Sequence, residues 1–270
     1  MYNLHEMGNI FIHGNDDAVS KTTKEQLKKL LESKEFEISE EFSDASDLII
    51  AIGGDGNFLR ALKLAGYPST PILGINTGHL GFFTEFLPTE LEEVAEICVH
   101  KNYTLQKHKT IKTEIETKQG ILTLDPAVND VFIKHGHSSM IHLNLYIGEE
   151  FTEAFSGDGI IISSSAGSTA YNYSLGGSLV DPRLNLLQVT PVAPQNNAVY
   201  RSITSSLLIP SDEKINIVPE DQDNVVIVVD GNESIMPNAA KISVSISDKT
   251  VQIVRKQNYS FWNKVRSKFL

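Results

Sequence analysis

In the first hundred residues, short apolar runs alternate with segments whose hydrophobic positions recur every three or four residues. "NIFIHG" (9–14), "DLIIAI" (47–52) and "TPILGINTG" (70–78) read as strands. "DDAVSKTTKEQLKKLLESKEF" is an amphipathic helix with Leu27, Leu30 and Leu31 on one side. "NFLRALKLAG" is a second helix closed by Gly66, and "PTELEEVAEICVHKN" a third that starts at Pro88. Such alternation predicts a parallel sheet with helices on its faces.

From about residue 104 the period changes to two. The strands predicted there are "TIKTEIET", "GILTLDPAVNDVFIK", "MIHLNLYIG", "GDGIIISS", "EKINIV", "NVVIVVDG", "KISVSISD" and "TVQIVRK". In "KISVSIS" the residues Ile242, Val244 and Ile246 share a face. The last stretch, "YSFWNKVRSKFL", returns to helical spacing, with Phe261 and Trp262 expected to dock it. The fold class is therefore an α/β N-terminal domain followed by a β-rich C-terminal domain. The boundaries expected are 1–103, 104–254, and a tail, 255–270, that packs back on the first domain.

The 270 residues suffice for a sizeable core, and no apolar run approaches the roughly 18 to 20 residues of a membrane helix. The start of the chain lacks the basic and apolar regions of a secretory signal, which leads to the expectation of a cytoplasmic protein. A formal net charge of -11 argues against nucleic acid or an anionic membrane as partner. A phosphate-bearing ligand would have to be held by local N–H groups, hydroxyls or metal ions. The single cysteine, Cys98, falls on the inward side of its helix and reads as a buried thiol. Eight histidines show no HxxxH or HExxH spacing, so no permanent metal site is expected. His79, among glycines, reads as a packing residue.

The chemistry concentrates in two glycine-rich stretches. "GGDG" (53–56) follows a strand and precedes a helix, where Gly53, Gly54 and Asn57 can offer backbone N–H groups to phosphate. It lacks the third glycine of GxGxxG and the Gly-Lys-Ser/Thr ending of a P-loop. A carboxylate at Asp55 would repel a phosphate, so it needs another reason. It either binds a metal that bridges phosphates, or takes a proton from an attacking hydroxyl, or caps the helix. The second stretch, "FSGDGIIISSSAGSTAYNYSLGGSLVDP" (155–182), runs from a strand into small and hydroxylated residues around Tyr171, whose ring could lie against a nucleobase.

Three further segments, "GINTGHLGFF" (74–83), "AVND" (127–130) and "TPVAPQNNAVYRS" (190–202), complete a set in chain order. Together these segments resemble the NAD kinase family in its Gram-positive bacterial form. The resemblance covers most of the chain. It implies a ligand lying between the two domains, and phosphoryl transfer from ATP, with a divalent metal such as Mg2+, to the 2′-hydroxyl of the adenosine ribose of NAD. On this resemblance Asp55 looks like the base that accepts the hydroxyl proton. Gly56 adjoins it, and Phe82 looks like a wall of the adenine site. Asn129 and Asp130 look like adenosine ligands, and Thr169, Ala170, Tyr171 and Ser174 look like the lining of that pocket. Ser165, Asn172 and Asn196 fall in the matching segments as further dinucleotide contacts. Asp158, Ala193 and Tyr200 resemble residues that reach the nicotinamide side from a neighbouring subunit, so a homodimer or homotetramer is implied.

The chain departs from the family pattern at several points. Asn57 replaces threonine after "GGDG", Asp130 shortens a glutamate, "SSSAG" stands for "STPTG", and Ser156 stands where a basic residue is common. Two other classes fit parts of the pattern: a lipid or sugar kinase sharing the "GGDG" turn, and a catalytically silent dinucleotide-binding regulator of the same fold.

Overall fold

The structure is a computed structural model that describes residues 8–270; residues 1–7, assigned above to the N-terminal domain, lie outside the described residues. It divides into two compact units. One runs up to Lys107 and resumes at Thr250–Leu270, and the other is His108–Lys249.

In the first unit β1 (Asn9–Gly14) leads to α1 (Ala18–Glu32) and the three-residue β2 (Glu37–Ser39). Then β3 (Ser46–Ile52) leads to α2 (Asp55–Leu64) and β4 (Ile72–Ile75), followed by a 3-10 turn at Pro88–Glu90 and α3 (Leu91–His100). The helix predicted from Asp16 begins at Ala18, because the Asp17 side chain caps it by accepting from the Ser20 N–H at 2.9 Å. The second helix begins earlier than its hydrophobic period suggests, at Asp55 itself. β2 has a single apolar residue, so periodicity gives no sign of it.

The strands pair in parallel in the order β2-β1-β3-β4. β1 connects outward to β2 and β3 connects outward to β4, so the winding reverses between β1 and β3. Beyond the carboxyl ends of such a pair lies the crevice where open α/β sheets bind ligands. Asn57 joins the two strand ends: its buried amide donates to Ile52 O at 3.0 Å and to His13 O at 3.4 Å. Gly53 leaves room for it, since a Cβ there would stand 2.7 Å from Asn57 Cβ. The core below joins Ile10, Ile12, Leu27, Leu31, Ile50 and Val94.

β5 (Thr104–Thr117) carries the chain into the second unit. There follow β6 (Gly120–Thr123), β7 (Asp130–His135), β8 (Ile141–Ile147), β9 (Glu150–Gly157) and β10 (Gly159–Ser164). A 3-10 turn at Ala166–Thr169 and the four-residue α4 (Tyr171–Ser174) come next. β11 (Leu186–Val192), β12 (Leu207–Pro210), β13 (Ile215–Pro219), β14 (Val225–Val229) and β15 (Asn232–Met236) complete this half. β16 (Lys241–Arg255) returns to the first unit, which ends with α5 (Phe261–Phe269).

Six strands form an antiparallel sheet in the order β12-β11-β10-β7-β14-β15. Within the same unit the start of β16 pairs with β13, and β13 and β9 flank β8. Their apolar faces share one core: Val131, Ile133 and Ile162 from one sheet, Leu143, Ile217 and Ile242 from the other.

Sequence and structure differ in detail. The strand expected over 120–134 is two, because "DPAVN" turns the chain; Ala127 there makes only an isolated bridge to Ile111. The two strands expected over 241–256 are one of 15 residues, since the polar "SDKT" lies on an extended, partly solvated backbone. β9, β11, β12 and β15 have no counterpart among the predicted strands; β9 and β15 mix polar and apolar residues without alternation. Among the described residues no helix is long and apolar enough to cross a membrane.

Removing the amide of Asn57 takes a donor from two strand-end carbonyls, of which Ile52 O keeps the Asn15 N–H at 2.9 Å. Asn57→Ala should destabilise the protein by about 1–3 kcal/mol. Urea unfolding should show a lower midpoint with an unchanged slope; an unaltered midpoint would mean that the clamp contributes nothing.

Candidate active site

Asp55 is the first residue of α2, after Gly54, whose backbone is extended and which supplies no side-chain cap. The carboxylate does not cap its own helix. It reaches across to the 80–84 loop, where Oδ2 accepts the Phe82 N–H at 2.7 Å and Oδ1 the Phe83 N–H at 3.0 Å. Gly81 is a requirement of that contact, because a Cβ there would lie 2.1 Å from Asp55 Oδ1. Space remains at the residues that flank it: a Cβ on Gly54 or Gly56 would meet nothing within 4 Å. The first amides of a helix have no intrahelical acceptor, so this open turn offers N–H donors to an anion. Gly53 and Asn57, expected to join them, already donate their N–H groups to Ile75 O at 2.9 Å and to Gly54 O at 3.0 Å, and the Asn57 side chain turns inward as described.

Phe83 stacks on Phe58 of α2, with centroids 5.1 Å apart and planes 13° from parallel. Phe82 is buried, its ring 6.1 Å from that of Phe261 and 5.6 Å from that of Phe269. Trp262, expected to dock the tail, is about half exposed at 51% and touches Phe261; Phe269 makes the second docking contact instead. Near the loop, Arg255 is almost wholly buried, donates to Phe83 O and Glu85 at 3.3 Å, and lies under the Tyr259 ring at 4.2 Å. Lys264 donates to Thr84 O and lies 3.4 Å from Glu85. Burial pushes Lys264 down to about 8, Arg255 adds to the fall, and Glu85 and Asp55 oppose it.

The second unit gathers its own group. Asp230, at the end of β14 with φ +46, is partly buried and accepts three backbone amides: Val128 at 2.7 Å, Asn129 at 2.8 Å and Asp130 at 3.1 Å. It thereby sets the backbone of the "VND" segment. Sequence reasoning gave Asp230 no role and marked only its neighbour Gly231, which stands where a histidine is common in the branch that the chain resembles. Ser164 Oγ donates to Val128 O at 2.6 Å and accepts the Gly167 N–H. Gly167 packs so tightly on Asn129 that a Cβ would lie 2.0 Å from the Asn129 carbonyl oxygen. The structure thus brings Asn129 and Asp130 beside the turn that holds Thr169 and Ala170. Tyr171 is 48% exposed and sets an edge against Phe132 at 5.9 Å, leaving ring surface open, with Ser174 exposed one turn on.

Other candidates lie differently. The Asn172 side chain is fully buried and accepts from Thr190 Oγ1 at 2.7 Å, so it braces the turn from inside. The Ser165 hydroxyl donates to the Leu184 carbonyl. Asp158 and Ala193 are exposed neighbours, joined by the Asp158 N–H to Val192 O bond at 2.9 Å. Tyr200 sets its ring against His142 at 5.5 Å, and Asn196 donates to Ser202 O. Ser156 is buried and bonded to His142 Nδ1 at 2.8 Å, so no long basic side chain could simply replace it. His79 is exposed, against the expectation of a packing role, because its loop folds outward before Gly81. Cys98 is buried, and burial pushes its thiol up to about 12.

Two family profiles match the chain: the ATP-NAD kinase N-terminal domain over residues 5–103 and the ATP-NAD kinase C-terminal domain over residues 128–256. The chain belongs to the NAD kinase family. Its curated relatives include the NAD kinase of Finegoldia magna, 33% identical over 100% of both chains. The NAD kinase of Lactobacillus gasseri is 35% identical over 90% of this chain and 91% of that one. Among solved structures, a yeast NADH kinase complexed with NADH superposes with a TM-score of 0.84 at 19% identity, covering 96% of this chain and 86% of that one. An NAD kinase from Archaeoglobus fulgidus in complex with ATP gives 0.78 at 22%, covering 96% and 98%. These two carry the fold; the curated relatives carry the activity, and this kinase is an enzyme with NAD kinase function.

The kinase buries an unusual acid. Burial, and secondarily Asp230, raise Asp130 from 3.8 to about 7. A folded-state value above the unfolded one means that the stability Asp130 contributes is complete below about pH 4 and lost as pH rises through 7. Asp130→Asn should remove that loss. At pH 8 the variant should exceed the parent by up to about 4 kcal/mol, the equivalent of three pKa units, and at pH 4 the two should converge. Chemical unfolding at both pH values tests this, and a difference independent of pH would contradict it.

Proposed function

We propose that the kinase transfers the γ-phosphoryl group of ATP to the 2′-hydroxyl of the adenosine ribose of NAD, with Asp55 as general base. The observation that carries this reading is a carboxylate fixed by two amides at the mouth of an open, glycine-lined helix start. Each oxygen of Asp55 keeps a lone pair beyond the one given to the loop, so the group can accept a hydroxyl proton while it stays in place. The amides at the start of α2 are the donors that a polyphosphate would use.

The first 103 residues would serve the donor and the base, residues 104–254 the dinucleotide, and residues 255–270 the support of the first domain. Tyr171 would present its open face to adenine, with Asn129, Asp130, Thr169, Ala170 and Ser174 around the adenosine. Asn172 and Ser165 fit better as supports of that turn than as direct ligands, since their polar atoms are already engaged. Asp158, Ala193 and Tyr200 would meet the nicotinamide side from a second subunit, in a homodimer or homotetramer; the exposure of the first two agrees with that assignment.

Among the described residues no three His, Cys, Asp or Glu side chains converge to hold a metal ion. A Mg2+ ion would arrive with ATP and keep phosphate and water oxygens as most of its ligands. Such an ion supplies charge neutralisation on the transferring phosphate. The acidic composition and the family's substrates support a cytoplasmic location.

A coupled assay of NADP formation from NAD and ATP tests the activity. In Asp55→Asn, turnover should fall by about 10² to 10⁴ with KM for NAD little changed. The new side-chain amide must also face one of two backbone N–H groups, so a stability loss of about 1–3 kcal/mol should accompany it. Turnover is therefore compared well below both melting temperatures. Parental turnover in the folded variant would remove Asp55 as the base.

A further inference from the structure

We propose that Lys264 and Lys268 of α5 are positioning residues for the Asp55 carboxylate, acting through the backbone of the 80–84 loop. This rests on the reading of Asp55 as the base.

The two amides that hold Asp55 belong to the peptide planes joining Gly81 to Phe82 and Phe82 to Phe83. A peptide plane is rigid, so fixing a carbonyl fixes the N–H of the following residue. On one side of these two planes, Lys268 Nζ donates to Leu80 O at 2.7 Å. On the other, Arg255 donates to Phe83 O at 3.3 Å, and Lys264 Nζ to Thr84 O at 2.5 Å. The planes that carry the donors are thus bracketed by planes whose carbonyls are tied to cations. Lys268 also lies 5.2 Å from the centre of the Phe82 ring.

The loop cannot easily hold itself. At the point of contact it has a glycine, which the approach of Asp55 demands, and glycine leaves the backbone more freedom than any other residue. Nearby, Thr84 Oγ1 is buried without a hydrogen-bond partner, so that side chain adds no tether. Support comes from outside, from α5, a helix without a buried residue and so with little share in the core. Its contributions to the first unit include two ring contacts on Phe82, the Lys264–Glu85 ion pair and two lysine tethers on the loop beside Asp55.

The test is a double-mutant cycle in the full chain. Lys268→Met and Lys264→Met should each lower kcat by about 10- to 100-fold, with KM for NAD and ATP within about threefold of the parent. Lys268→Arg and Lys264→Arg, which keep a cationic donor, should recover most of kcat. In the Asp55→Asn background the same Lys→Met changes should alter the residual kcat by less than about twofold, because the group they position is gone. A purely structural role would give the same fold-loss in both backgrounds, and that result would overturn the proposal. So would parental kcat in folded Lys268→Met. Lys264 is mostly buried, and if Lys264→Met does not fold, the exposed Lys268 carries the test alone. Parental turnover in Asp55→Asn by itself would instead remove the base, and the positioning role with it.

Discussion

A carboxylate that accepts backbone amides organises each half of this protein. In the first unit Asp55 ties the start of α2 to Phe82 and Phe83; in the second, Asp230 gathers the amides of three successive residues, Val128 to Asp130. Charge-assisted bonds of this kind are about twice as strong as neutral ones and strongly directional, so each fixes a segment with no regular secondary structure of its own. The two differ in what remains available. Both are partly buried, but Asp230 accepts three backbone amides, whereas Asp55 accepts two and is flanked by glycines beside open space. One carboxylate serves shape alone, and the other keeps capacity for chemistry.

The charge distribution follows from this need. A chain with a formal net charge of -11 places buried cations where the first unit is least self-supporting. Arg255 and Lys264 share Glu85, and the Tyr259 ring covers the guanidinium. Removing two cations from water is costly, and a carboxylate, an aromatic face and backbone carbonyls offset that cost together.

The alternation of period and the β-rich second half were legible in sequence because long elements with one buried face carry a clear repeat, as in α1 and β16. Short or unevenly patterned strands, such as β2 and β9, were not, since pairing with neighbours rather than local preference decides them. At the site, glycine motifs marked the turns, and the residue assignments came from the family resemblance. Support was not legible: Asp230 acts through backbone amides, and Lys264 and Lys268 act on carbonyls far away in sequence. Asn57 and Asn172 show the converse, in that a polar residue inside a ligand motif can face inward and brace the motif instead.

The first unit is built from both ends of the chain, with the whole second unit inserted at Lys107 and Thr250. The bonds from Lys264 to Thr84 and from Lys268 to Leu80 span 180 and 188 residues. During synthesis the segment around Asp55 leaves the ribosome long before its braces exist, whereas the second unit can close on its own contiguous sequence. The nascent first unit therefore has to wait, with the face that α5 will cover still open to solvent, until residues 261–269 have been made. The order of translation thus makes synthesis of α5, after the whole second unit, the step that finishes the first unit.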